Sequence, residues 1–288
     1  MTKEQFQRRL DSGVLFLDGA TGSNLLAAGM PRGVSTELWV LEHPETLLRL
    51  QRAYVEAGAQ VVYAPTFQAN RIGLEGREMA GDIPTLIEEL VGLSEDAAGG
   101  RALVAGDVSS TGRFALLEYD ELFDAYAEQI DALAAAGVDF IAAETLLSAE
   151  EGAVILDAAA RSGLPVICSL TVEADGGLLM GGNVFDACAE LEGLGAAAVG
   201  VNCSCGPDQL RAVVAGVRRR VGVPVIAKPN AGLPEISETG EAVYSMGPET
   251  FGRAMVDLHS AGAVLLGGCC GTTPEHIRAM VDLLSQAL

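Results

Sequence analysis

The feature that most constrains this chain is a recurrence. Short runs that are apolar along their whole length return eight times, at 14–18, 60–66, 102–107, 138–144, 165–171, 196–203, 223–228 and 262–268. Between them lie segments such as 45–57, 119–136, 149–161 and 248–260, whose apolar residues recur every three or four positions. That period predicts helices buried on one side. Ala-Gly pairs at 57–58, 136–137 and 261–262 close several of these segments and predict helix ends. Strands without polar alternation are covered on both faces, which predicts a parallel sheet clothed in helices. Eight such units in alternation predict an α/β fold, a (β/α)8 TIM barrel, formed by residues 1–288 as a single domain. An open doubly wound sheet is the competing architecture. Its Gly-rich signature is missing, because DGATGS after the first run lacks the G-x-G-x-x-G spacing. The longest irregular stretch is the expected loop 229–247. A loop of such length is usually functional.

Charge narrows the partners. Asp and Glu number 39 against 18 Lys and Arg, a net charge of −21. No basic face is available to neutralise phosphates, which excludes nucleic acid, and an anionic membrane surface is equally disfavoured. The start MTKEQFQRRLDSG has no apolar core of a secretory leader, and no apolar run reaches membrane-spanning length, so a cytoplasmic location is expected. In that compartment the six cysteines are expected to serve metal binding or catalysis rather than disulfides.

In this architecture the active site forms at the carboxyl ends of the strands. Those ends read Asp18, Thr66, Asp107, Glu144, Thr171, Asn202-Cys203, Lys228 and Cys269-Cys270. A lone Asp after a strand is ordinarily a turn or helix-cap residue. Polar groups ending so many apolar strands on one rim are harder to ascribe to packing. Cys203 ends the sixth run, and Cys269 and Cys270 follow the eighth. Three thiolates suit the soft, tetrahedral preference of zinc and leave a fourth position open. Three inert core cysteines, or a vicinal disulfide between Cys269 and Cys270, are the plainer readings. Cys168 and Cys188 read as core. Cys205, two residues after Cys203, would make the site a closed structural one if it were a fourth ligand, giving a non-catalytic zinc-stabilised barrel. A further alternative is a phosphosugar lyase or isomerase. GGCCGTTPEHI offers a Gly-rich turn leading into a helix, and Lys228, one of two lysines, stands where a Schiff-base amine would.

LFLDGATGSNL, GVNCS and GGCCGTTPEHI together resemble the homocysteine S-methyltransferase family over nearly the whole chain. Within it, PNAGLPEISETGEAVYSMGPETF and the form CCGTTP are most similar to the homocysteine-binding barrel of cobalamin-dependent methionine synthase. The S-methylmethionine branch more often reads CCRTTP. The resemblance implies a zinc-dependent enzyme that moves a methyl group onto the thiol of homocysteine, giving methionine. It assigns zinc to Cys203, Cys269 and Cys270. It places the amino-acid carboxylate against the backbone at Ala20-Thr21 and the ammonium near Glu144, with Asp18 close by. Asn202 and Asp107 would shape the pocket. No side chain beyond the zinc-activated substrate thiolate is expected to act in catalysis. Cys205 and Lys228 lie outside the family pattern. The sequence shows no counterpart of the betaine branch's carboxyl-terminal arm, and a full methionine synthase continues into folate and cobalamin modules, so the expectation is either one domain of a longer protein or a donor carried on another protein. The expected donor is therefore a methylated corrinoid, methylcobalamin, carried on another module or protein. S-methylmethionine or S-adenosylmethionine is the alternative donor.

Overall fold

The computed structural model describes residues 1–77, 82–237 and 242–287. The apolar runs form β1 (Leu15–Phe16), β2 (Val61–Tyr63), β3 (Leu103–Ser109), β4 (Phe140–Leu146), β5 (Val166–Leu170), β6 (Ala198–Cys203) and β7 (Val225–Pro229). A short pair follows, β8 (Pro234–Ile236) and β9 (Ala242–Tyr244), and then β10 (Ala263–Leu266). Eight strands make one parallel sheet in the order β1-β10-β7-β6-β5-β4-β3-β2. Its two ends meet. The Gln60 amide donates to the Phe16 carbonyl at 2.7 Å, and the Phe16 amide donates to Gln60 Oε1 at 3.1 Å. The fold is a (β/α)8 TIM barrel, as the alternation predicts.

The sequence explains the helices locally. Tyr119–Ala136 opens on a reciprocal capping box between Glu118 and Glu121 and ends at Gly137, whose φ of 93° a side chain would resist. Leu122, Tyr126, Ile130 and Leu133 recur on its buried face. Each such side chain contributes about 1.5–3 kcal/mol when fully buried. A large apolar cluster fills the layer between helices and sheet, and a smaller one fills the barrel's interior.

Two features depart from the sequence reading. The helix Lys3–Asp11 was not anticipated. Its Phe6 and Leu10, one turn apart, insert among the interior residues, and the Phe6 ring lies 4.9 Å from that of Phe140. This helix corks the amino end of the barrel. The stretch 229–247 is not wholly irregular either, because β8 and β9 pair antiparallel within it. Residues 238–241 of that expected loop lie outside the described residues.

Candidate active site

Strand parity decides what the barrel's interior presents. Inward positions run Leu103, Ala105, Asp107 on β3, Phe140, Ala142, Glu144 on β4, and Ile226, Lys228 on β7. Each series is apolar below and charged at the carboxyl end. Cys203 has the opposite parity to the inward-facing Ala198 of β6. It nevertheless lines the cavity, because Cys203 and Ser204 both adopt left-handed backbone with φ of 59°. Non-glycine residues rarely hold that conformation, and where they do, the surrounding structure enforces it.

Backbone hydrogen bonds bring the remaining cysteines to it. The Cys269 amide donates to the Pro229 carbonyl at 2.7 Å, the Ala231 amide to Cys270 at 2.9 Å, and the Asn230 amide to Cys205 at 3.1 Å. Residues 229–231 thus tie the turn after β6 to the turn after β10. Gly271 completes the second turn with φ of 79° and lies under the Tyr244 ring, where a Cβ would fall 2.3 Å from Tyr244 Cγ. As a result the sulfurs of Cys203, Cys269 and Cys270 all lie within 4.8 Å of one another. Those of Cys203 and Cys270 are 4.0 Å apart. A tetrahedral zinc site, with Zn–S near 2.3 Å, has S···S edges of about 3.8 Å, so the trio fits such an ion. Hydrogen bonds from Cys203 and Cys269 pull Cys270 down to about 3, while Cys203 is pushed up to about 12. Cys205 is no part of the group. Its thiol is directed at the Val172 carbonyl, 3.7 Å away, in a separate depression.

The thiols share one cavity of about 480 Å³ with a carboxylate cluster. Of the residues assigned to substrate from sequence, Ala20, Thr21, Asp107 and Glu144 line it, whereas Asp18 and Asn202 do not. Asp18 lies beneath, where its Oδ2 accepts the Tyr63 amide at 2.8 Å. Asn202 has the inward parity of Ala198 but is covered by its hydrogen-bond partners. Its Oδ1 accepts the Thr145 amide at 2.8 Å and the Ser169 hydroxyl at 3.0 Å, and its Nδ2 donates to Thr145 Oγ1 at 2.7 Å. It steadies Thr145, itself left-handed at φ 58° and next to Glu144. The loop after β1 is bound to the cysteine turn by Thr272, whose hydroxyl donates to the Cys269 carbonyl at 2.7 Å and accepts the Ala20 amide at 3.0 Å. Only glycine fits at position 19, where a Cβ would come within 2.6 Å of the Tyr54 hydroxyl.

Lys228 lies on the cavity floor, 3.4 Å from Glu144 Oε2 and 3.6 Å from Asp18 Oδ1. Burial pulls its pKa down, but Glu144 and Asp18 outweigh burial and hold the ammonium above its ordinary value. A Schiff-base lysine acts as the free amine, whereas this amino group is paired with two carboxylates. Burial first, and then Glu144, push Asp107 well above the usual carboxylate range. Thr145, Lys228, Asn230, Tyr244 and Thr272 were not assigned roles from sequence. Thr272 stands within GGCCGTTP and Asn230 within PNAG, so both motifs carried the signal.

With this geometry in view, similarity to known proteins is decisive. The homocysteine S-methyltransferase family model matches residues 15–284. The chain belongs to that family. A methionine synthase of Mycobacterium tuberculosis is 32% identical over 93% of the chain, which spans 24% of that protein's length. Homocysteine S-methyltransferase 4 of Zea mays is 28% identical, covering 96% of this chain and 90% of its own. Among solved structures, the metallated form of the homocysteine methyltransferase MmuM from Escherichia coli superposes with a TM-score of 0.79 at 26% identity, over 94% of this chain and 96% of that one. The cysteine cluster that the family's barrel presents here is able to bind a metal ion. No described helix is long and apolar enough to cross a membrane.

Proposed function

We propose that this barrel transfers a methyl group to the thiol of homocysteine, giving methionine, with zinc held by Cys203, Cys269 and Cys270 and a methylated corrinoid as donor. The observation that carries the reading is the cavity itself. Three sulfurs at tetrahedral spacing stand on the same wall system as Glu144 and Asp107. When bound, zinc supplies a Lewis acid that holds a thiol and favours its deprotonation, which at an ordinary pKa of about 8.5 is slight at neutral pH. The chain's own residues do the remainder. Glu144 Oε2 is buried without a hydrogen-bond donor, so it offers an acceptor for the ammonium of the amino acid. The Ala20 amide is committed to Thr272. The carboxylate therefore falls to the backbone from Thr21 onward, which lines the cavity. Fixing both ends of the acceptor aims its sulfur. Such positioning supplies at best roughly 7–11 kcal/mol of the barrier.

The relatives support this reading. Proteins named methionine synthase and homocysteine S-methyltransferase match nearly the whole chain, and the structural neighbour MmuM has a metallated form. The direct test is methionine formation from homocysteine and methylcobalamin with one equivalent of zinc. No turnover with zinc present, or full turnover after its removal by a chelator, would sink the proposal.

A further inference from the structure

The acceptor scheme above gives no role to Lys228. It is one of two lysines in the chain and is 4% exposed. Burying an ammonium costs several kcal/mol unless partners offset it. Its partners are specific. Glu144 Oε2 and Asp18 Oδ1 have no hydrogen-bond donor, and Lys228 Nζ, at 3.4 and 3.6 Å, is the cation beside both. The Tyr63 ring supports the ammonium from below, 4.3 Å from its centroid. Lys228 therefore decides which way the Glu144 carboxylate is drawn, and its charge offsets the cluster an incoming ammonium would meet.

We propose that Lys228 is the positioning residue for acceptor recognition: it holds the Glu144 carboxylate turned to the cavity, and so selects a thiol that carries an α-ammonium over one that does not. The inference rests on the homocysteine reading. Without Lys228, three carboxylates at Asp18, Asp107 and Glu144 remain together in a buried space. Like charges so placed repel one another, and Glu144 loses the cation that draws its carboxylate toward the acceptor. The charged and titratable groups around Lys228 include Asp18 after β1, Tyr54, Tyr63 on β2, Asp107 on β3, Glu144 on β4, and Cys269 and Cys270 after β10. The competing effect is repulsion between Lys228 and the acceptor's ammonium, which predicts tighter binding when the lysine is removed.

The test is calorimetric titration of the zinc-loaded protein with homocysteine and with 4-mercaptobutyrate, the same thiol acid lacking the amino group. The difference in thiol acidity between the two ligands cancels when their affinity ratio is compared between wild type and variant, so the change in that ratio isolates the ammonium site. Lys228→Met is expected to weaken homocysteine roughly tenfold or more at neutral pH, the scale of one lost charged hydrogen bond, and to leave 4-mercaptobutyrate nearly unchanged. Lys228→Arg, which keeps the charge but shifts it, is expected to cost homocysteine only several-fold. If the Met variant does not fold, the Arg variant carries the test on the same ratio. Unchanged or tighter homocysteine binding in Lys228→Met overturns the inference, as does an equal loss for both thiols. A wild type that binds no homocysteine overturns the acceptor reading and this inference with it.

Discussion

The carboxylate of Asp18 accepts the backbone amide of Tyr63 at 2.8 Å, across the seam where β1 meets β2. A side chain thus takes the place that a neighbouring strand's carbonyl holds elsewhere in the sheet. Asp18 closes the barrel and supports Lys228 rather than lining the cavity.

Titration of Asp18 makes this measurable. Burial lifts its pKa from 3.8 to about 6, against the opposing pull of Lys228 and the Tyr63 amide. The folded state therefore holds this proton more tightly than the unfolded chain. Stability from Asp18 is fully present below about pH 4 and is lost as pH rises through about 6, an effect of about 3 kcal/mol at most. Asp18→Asn keeps an acceptor for Tyr63 and removes the titration. Between pH 4 and 6, wild type should lose stability relative to the variant, and above that the two should run parallel. Urea unfolding at four pH values checks this; parallel curves throughout would show that Asp18 titrates normally.

The thiol trio predicts a metal stoichiometry. Zinc should bind at one ion per chain, with proton release and falling affinity at low pH. Cys203→Ser, Cys269→Ser and Cys270→Ser should each abolish tight binding. Cys205→Ser, whose thiol faces Val172, should retain it. Metal analysis after dialysis decides. Full retention in Cys269→Ser removes the site, and loss in Cys205→Ser restores the closed four-cysteine alternative.

Glu144 faces the cavity, yet in the structure its Oε2 has only Lys228 as an ionic partner. Glu144→Gln should weaken homocysteine by roughly 1.5–3 kcal/mol, the worth of a hydrogen bond to a charged group, and, because it leaves buried Lys228 with Asp18 as its ionic partner, should also lower the melting temperature. Unchanged calorimetric affinity would remove it from the acceptor site.

How far the sequence carried these conclusions depends on periodicity. The eight strands were legible because whole-length apolar runs have one economical use, a covered parallel sheet. The helix Tyr119–Ala136 was legible to the residue, since both of its ends carry local signals. The corking helix was not, because only Phe6 and Leu10 of its nine residues are buried, too few to set a period. The cysteines were legible as a rim set, but not how Cys203 reaches its partners. Strand parity turns it away, and only the left-handed backbone at 203–204 brings it back. Asn202 and Asp18 were read as neighbours of the pocket, and the structure places both beside the cavity rather than in its lining. A strand end gives a side chain's height, not what its neighbours have already claimed. Lys228 was visible as an anomaly without a partner, since its partners lie on strands remote in sequence.

The donor admits a direct comparison. Initial rates of methionine formation with free methylcobalamin and with S-methylmethionine, at matched concentrations and with zinc present, should favour the corrinoid. Net charge weighs on the other side, because a surface of −21 attracts a small sulfonium cation. Turnover of S-methylmethionine orders of magnitude faster would make this a sulfonium-dependent enzyme.

Among the described residues, the apolar interior and the helix Lys3–Asp11 beneath it leave the thiols facing the cavity at the carboxyl ends of the strands. With Phe6 and Leu10 packed into the barrel's base, nothing reaches the thiols from below. Under the proposed reaction, acceptor and donor must queue at the same entrance, and the bulkier must come second. A corrinoid borne on a carrier would lie across the mouth like a lid. Homocysteine must then already be inside, and methionine can depart only after the carrier lifts away. The order follows from the shared mouth: whatever lies across it closes the way to the thiols.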